Sequence, residues 1–200
     1  IQLWTGDNAN PRSFSNTAFS PDLVWYKARN NAYSHNLYDT NRGVTKTLYS
    51  NSTSAEYTND TSGTLESFDS DGFTVGGDSD VTTVNGTGQT YVGWQWRGSD
   101  STAASNGDGS ITSTVSANTT AGFSIATWTM PTDSRTSLTL GHGLSAAPKM
   151  IITKSRNGAG NWLVYHADLG PNDYVVLDNT SAKGTNSGFM NNTAPTSSVF

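Results

Sequence analysis

Few side chains in this chain of 200 residues are suited to chemistry. There are three histidines, His35, His142 and His166, and a general base needs such a group held against a proton donor. His166 stands two residues before Asp168, but no residue supplies a nucleophile in a recognisable setting. His142 lies between Gly141 and Gly143, which is the composition of a turn. The absence of cysteine excludes a thiol nucleophile, a thiolate metal site and a disulfide scaffold. Only two glutamates occur, Glu56 and Glu66, and the carboxylate pair of a glycosidase is set by distance in space rather than along the chain. Asp69-Ser70-Asp71-Gly72, with Asp78 and Asp80 beyond it, offers oxygens of the kind Ca²⁺ takes. The spaced ligand set and distal Glu of a calcium loop are missing, however, and a β-turn between two strands also asks for Asp and Gly. These residues predict no metal, no cofactor and no enzyme.

Recognition is the chemistry that remains. Six tryptophans and eight tyrosines offer flat apolar faces with polar edges, on which a sugar ring can stack. Trp25, Trp94, Trp96 and Trp128 lie in alternating segments, where large side chains are expected to fill the space between sheets. Asn30, Asn31 and Tyr33 fall instead in an amide-rich loop between two strands, and loops held by rigid strands are where binding residues concentrate. The corresponding stretch from Asn157 to Trp162 keeps an Asn and an aromatic. Asn30, Asn31, Tyr33 and Trp162 are therefore the candidate contacts to a glycan, with an ordinary polar loop as the competing reading. The sequons at Asn51, Asn59, Asn85, Asn118, Asn179 and Asn191 are what chance adjacency gives in a chain so rich in Asn, Ser and Thr. Gly76-Gly77 and Gly86-Thr87-Gly88 lack the following helix that a phosphate cradle requires.

The elements that must hold such residues are strands. Period-2 alternation rich in Val, Ile, Thr and aromatics recurs at 23–27, 73–75, 91–96, 123–128, 150–154, 162–165 and 174–177, separated by Gly, Asn, Asp and Ser. Within 91–96 the alternation groups Val92, Trp94 and Trp96 on one face, and Gly93 and Gln95 on the other. No window of a dozen residues has helical periodicity, and the abundance of Thr lowers helix propensity further. The expected fold class is all-β, built as tandem β-sandwich (jelly-roll or lectin-like) repeats.

The chain also repeats itself. Shifted by 127 positions, Pro21 falls on Pro148, Lys27 on Lys154, Arg29 on Arg156, Tyr38 on Tyr165, Gly43 on Gly170 and Phe73 on Phe200. Fourteen of the 53 ungapped pairs from 21 to 73 are identical, and apolar positions exchange in kind, as Val24 with Ile151 and Leu48 with Val175. Upstream the offset becomes 124, placing Ile1 on Ile125 and Trp4-Thr5 on Trp128-Thr129. The expected organisation is a first repeat at 1–98 lacking an N-terminal strand, a Gly/Ser/Asn/Asp linker at 99–110, and a second repeat at 111–200 that is cut at its C-terminal end. Such an array makes length and valency.

Composition narrows the partners. Ser, Thr, Asn and Gly make up 94 of the 200 residues and only 14% are charged, well below the ~25% of globular chains, so hydroxyls and amides must wet the surface. The net charge of −5 and the scattered lysines and arginines argue against nucleic acid. No apolar run long enough for a membrane helix occurs, and neither does a signal-peptide pattern.

Four phrases carry a resemblance: Phe19-Ser20-Pro21-Asp22-Leu23-Val24-Trp25-Tyr26-Lys27, Ser67-Phe68-Asp69-Ser70-Asp71-Gly72-Phe73, the stretch from Gly141 to Ile152, and the stretch from Asn192 to Phe200. Together they are similar to an uncharacterised β-rich repeat domain of tail-fibre and other virion structural proteins of bacteriophages, many of them marine. One departure is that Thr196-Ser197-Ser198-Val199 stands where the first copy has Asp69-Ser70-Asp71-Gly72. The resemblance implies a virion location and a non-enzymatic role in a tail fibre or appendage that attaches to a host surface. It transfers no catalytic or binding residue. A capsid or neck decoration protein without a ligand and a secreted glycan-binding adhesin are the alternatives. The expected partners are copies of the chain, as trimers by analogy with other phage fibres, together with other virion proteins and a host surface glycan.

Overall fold

The computed structural model describes residues 1–15, 17–58, 64–76, 82–99, 102–132 and 137–200. Asn59, Gly77, Asp78, Asp80, Asp100 and Ser101 lie outside the described residues. The chain is all-β. Its strands are β1 (Gln2–Thr5), β2 (Arg12–Ser15), β3 (Leu23–Ala28), β4 (Asn36–Asp39), β5 (Lys46–Tyr49), β6 (Tyr57–Thr58), β7 (Thr64–Asp69) and β8 (Gly72–Gly76). After a four-residue helical turn, α1 (Thr82–Asn85), come β9 (Thr90–Trp96), β10 (Ala104–Asn106), β11 (Ser113–Asn118) and β12 (Phe123–Trp128). The last four are β13 (Met150–Thr153), β14 (Leu163–His166), β15 (Asp173–Val176) and β16 (Gly184–Thr185). Each of the seven segments predicted from alternation is a strand. Two compact units result, Ile1–Arg97 with Arg156–Gly160, and Gly98–Ser155 with Asn161–Phe200.

The first unit has two antiparallel sheets, ordered β1-β9-β3-β4-β5-β6 and β2-β8-β7. They share one aromatic-rich core. Trp4, Tyr26, Tyr38 and Tyr91 enter it from the first sheet and Phe14, Leu65, Phe73 and Val75 from the second, none more than 7% exposed. Tyr91 stacks on Trp4 at 5.0 Å between ring centroids, and the Trp4 indole N–H donates to the Val84 carbonyl at 3.3 Å.

The faces of β9 are the reverse of the expected ones. Tyr91 and Gly93 are buried, whereas Trp94 and Trp96 are only half-buried and cluster with Trp25 on the outer face. Trp128 of β12 is likewise half-buried. Alternation states which residues share a face, but it does not say which face is the core. Packing decides that here, because a Cβ at position 93 would lie 3.3 Å from Trp4 and 3.4 Å from Phe73.

In the second unit the sheets are ordered β10-β11-β12 and β13-β14-β15-β16. Ala104–Asn106, inside the stretch read as a linker, pairs with β11. Ile111, Val115, Ile125, Leu140 and Leu144 are buried, and Leu140 exchanges both main-chain hydrogen bonds with Phe200 at 2.8 and 3.0 Å. β13 pairs β14 from Met150↔His166 to Thr153↔Leu163.

Candidate functional site

Asn30, Asn31 and Tyr33 share the loop that joins β3 to β4, strands paired through Tyr26↔Asn36. The Asn30 side chain is engaged at both ends. Its Oδ1 accepts the Thr90 N–H at 2.9 Å and its Nδ2 donates to the Gly88 carbonyl at 3.4 Å, which pins the loop to the start of β9. The carbonyl of Asn31 accepts from Lys27 Nζ at 2.6 Å, and Nζ also donates to the Ala28 carbonyl. Burial pushes the Lys27 ammonium below its ordinary pKa. Tyr33 packs against the core cluster. Trp162 belongs to the second unit, where it is 4% exposed and its N–H donates to Asp178 Oδ1 at 2.7 Å. Three of the four candidates thus form one loop and the fourth lies in a core.

The outer face of the six-stranded sheet carries a surface that sequence reading missed. Trp25 lies directly opposite Trp94 in the β3–β9 register, with ring centroids 5.9 Å apart, and 6.4 Å separate Trp25 from Trp96. The register puts Leu3, Val92 and Leu37 on this face as well, and Leu3 is 58% exposed. Partly exposed indoles side by side offer some of the flat apolar area that stacking on a sugar uses, although the Trp25 indole N–H is itself buried. The signal was available as tryptophans at 94 and 96 in an i, i+2 relation, but the third member, Trp25, joins them only through the strand register.

The remaining chemical groups are absorbed by structure. Asp69 and Gly72 face each other across a two-residue hairpin loop. The Asp69 carboxylate accepts from Ser67 Oγ at 2.6 Å and Thr74 Oγ1 at 2.7 Å, so the acidic phrase is a turn. His142 is 3% exposed; its Nδ1 accepts the Leu144 N–H at 3.1 Å, which leaves Nε2–H to donate to the Thr196 carbonyl at 3.2 Å. His166 is half-buried, with Nδ1 3.7 Å from Asp168 Oδ2. Asn85, one of the sequons, is fully buried and holds Arg12, Asp7 and the Ala9 carbonyl. Among the described residues no three His, Cys, Asp or Glu side chains converge as a metal site would require.

A family model described as a domain of unknown function (DUF7483) matches residues 1–200. No curated protein and no solved structure matches the chain.

Proposed function

The chain belongs to the DUF7483 family, whose function is unknown; we propose that it is a non-enzymatic virion structural protein, made of tandem β-sandwich repeats offset by 127 residues, in a phage tail fibre or appendage that attaches to a host surface. The observation that carries this reading is the recurrence of one hydrogen-bond plan at that offset. Val24↔Tyr38 and Leu37↔Leu48 have the counterparts Ile151↔Tyr165 and Val164↔Val175, and Lys46↔Thr58 has Asp173↔Thr185. Connections recur with the strands. Thr40 N–H to Asp22 O at 2.9 Å corresponds to Ala167 N–H to Lys149 O at 2.8 Å, and His35 N–H to Asn51 Oδ1 at 2.8 Å corresponds to Trp162 N–H to Asp178 Oδ1 at 2.7 Å. A backbone plan kept while side chains change supports copies of one module, and modules in series multiply weak contacts. The uncharged polar surface and the family phrases support a particle exterior. The Trp25, Trp94 and Trp96 face is the part of the first unit best suited to a glycan.

Mass spectrometry of gradient-purified particles from a culture that encodes the chain should recover its peptides. Gold-labelled antibody should then mark a distal tail appendage. Label confined to the capsid shell or neck would replace attachment by decoration, and absence from particles would overturn the virion assignment.

A further inference from the structure

In an Asn-Gly pair the main-chain nitrogen of the glycine can reach the side-chain amide of the asparagine, because no Cβ on the glycine obstructs the approach. The pair occurs three times, at Asn85-Gly86, Asn106-Gly107 and Asn157-Gly158. The structure holds the first two in opposite ways. Asn85 is 0% exposed, its amide is engaged by Arg12, Asp7 and Ala9, and the Gly86 N–H donates to Tyr91 Oη at 2.9 Å. Gly107 is exposed, no atom lies within 4 Å of where its Cβ would stand, and among the described residues no group accepts from its N–H.

Asn106 ends β10, which pairs with β11 from Ala104↔Val115 to Asn106↔Ser113. One residue clamps its amide at both ends. Oδ1 accepts the Asp108 N–H at 3.0 Å, and Nδ2 donates to Asp108 Oδ2 at 3.0 Å. This arrangement supplies the parts of an acyl transfer: a nitrogen nucleophile next in the chain, a main-chain donor on the oxygen where negative charge develops, and a carboxylate on the nitrogen that must leave.

We propose that Asn106-Gly107-Asp108 is a self-modification site, at which the chain deamidates itself and loosens β10. The Gly107 nitrogen attacks Asn106 Cγ and gives up its proton; the C–N bond that forms closes a cyclic imide, and the charge that develops on Oδ1 is held by the Asp108 N–H. The Cγ–Nδ2 bond breaks, and the proton, carried by the Asp108 carboxylate, leaves with Nδ2 as ammonia. Water then opens the imide at either carbonyl and gives aspartate or isoaspartate at 106, with no oxidation or reduction. Neither product can donate as Nδ2 did. A carboxylate at 106 faces the Asp108 carboxylate, and like charges at that distance repel. The isoaspartate form also adds a methylene to the main chain at the end of β10.

The test ages the full chain at mildly alkaline pH and follows it by peptide mapping with mass spectrometry, which separates the amide, aspartate and isoaspartate forms. Asn106 should convert while Asn85 stays intact. Asp108→Asn should slow the conversion by about tenfold or more, as expected for loss of a positioned proton carrier. Gly107→Ala should slow it as well, and since the structure has room for that Cβ, the fold is kept and only the approach of the nitrogen is hindered. Amide exchange at Ala104–Asn106 should quicken by about tenfold or more in the converted chain. Asn106 still intact after Asn157 has converted overturns the site, as does a rate that Asp108→Asn leaves unchanged or raises. Unaltered exchange along β10 after conversion overturns the loosening.

Discussion

Arg42 lies in the turn after β4 with its side chain 2% exposed, and the charge is held by four acceptors. Nε donates to Asp39 Oδ2 at 2.6 Å, Nη1 to Glu56 Oε2 at 3.3 Å and to the Lys46 carbonyl at 3.0 Å, and Nη2 to the Leu37 carbonyl at 3.0 Å. Removing one partner of a buried pair strands the others. Arg42→Leu, the residue found at the matching position 169, should destabilise by about 3–5 kcal/mol in urea unfolding. A loss below about 1 kcal/mol would mean that the network is worth no more than a surface ion pair. Glu56 adds a pH signature. Burial alone would push its carboxyl up, but hydrogen bonds and charge from Arg156 and Arg42 outweigh burial and leave it below its ordinary value. With the folded value lowered, its stabilisation is present above the unfolded value of about 4.3 and is lost as pH falls through the folded one. Stability should therefore drop on acidification below about pH 4, and Glu56→Gln should flatten that limb in a pH series of melting curves. An identical limb in the variant would assign the acid sensitivity elsewhere.

At the level of elements, the turns after β4 and β14 test whether the two units share a backbone plan. Gly43 has φ of +95° and Gly170 of +87°, and no atom lies within 4 Å of where a Cβ would stand at either. Alanine there is opposed by backbone conformation alone, so Gly43→Ala and Gly170→Ala should each cost about 1–2 kcal/mol. A costly change at 43 beside a free one at 170 would break the equivalence. These glycines were legible as a matched pair in the sequence, as were the strands with aromatic or β-branched alternation: β3, β8, β9, and β12 to β15. Strands such as β2, Arg-Ser-Phe-Ser, and β11, Ser-Thr-Val-Ser-Ala-Asn, were not, because their composition is that of the surrounding turns. Nor was the inward face of β9, which packing against Trp4 and Phe73 selects. The loop at Asn30 to Tyr33 was legible as a loop, but its anchoring was not: the partners of Asn30, Gly88 and Thr90, lie 58 and 60 residues away in sequence. Conversely, the Arg42 network has no copy, since His166, Leu169 and Lys183 occupy the positions that match Asp39, Arg42 and Glu56. If the units are copies, as proposed, a backbone plan can survive such exchanges because main-chain hydrogen bonds do not depend on the side chain.

For the whole molecule, the surface chemistry decides how copies would hold together. A chain with 14% charged residues and a net charge of −5 has little with which to form ion-pair networks between copies, while Leu3, Met150 and Ile152 leave apolar area in water. Association through such groups is driven by apolar burial, and salt screens charge without weakening it. Light scattering coupled to size exclusion should therefore give a multiple of 21.2 kDa, three being the number expected of a fibre, and the multiple should persist from about 0.05 to 0.5 M NaCl, over which the Debye length falls from beyond 10 Å to less than half of that. Dissociation with rising salt would show that the scattered charges hold the assembly, and a 21.2 kDa species at every concentration would remove self-association from the proposed function. The Met150→Lys substitution refines the outcome. On a surface buried between copies it should dissociate the oligomer, because an unpaired ammonium cannot be buried without a partner. On a surface left in water it should change nothing, and the contact between copies would then not involve Met150.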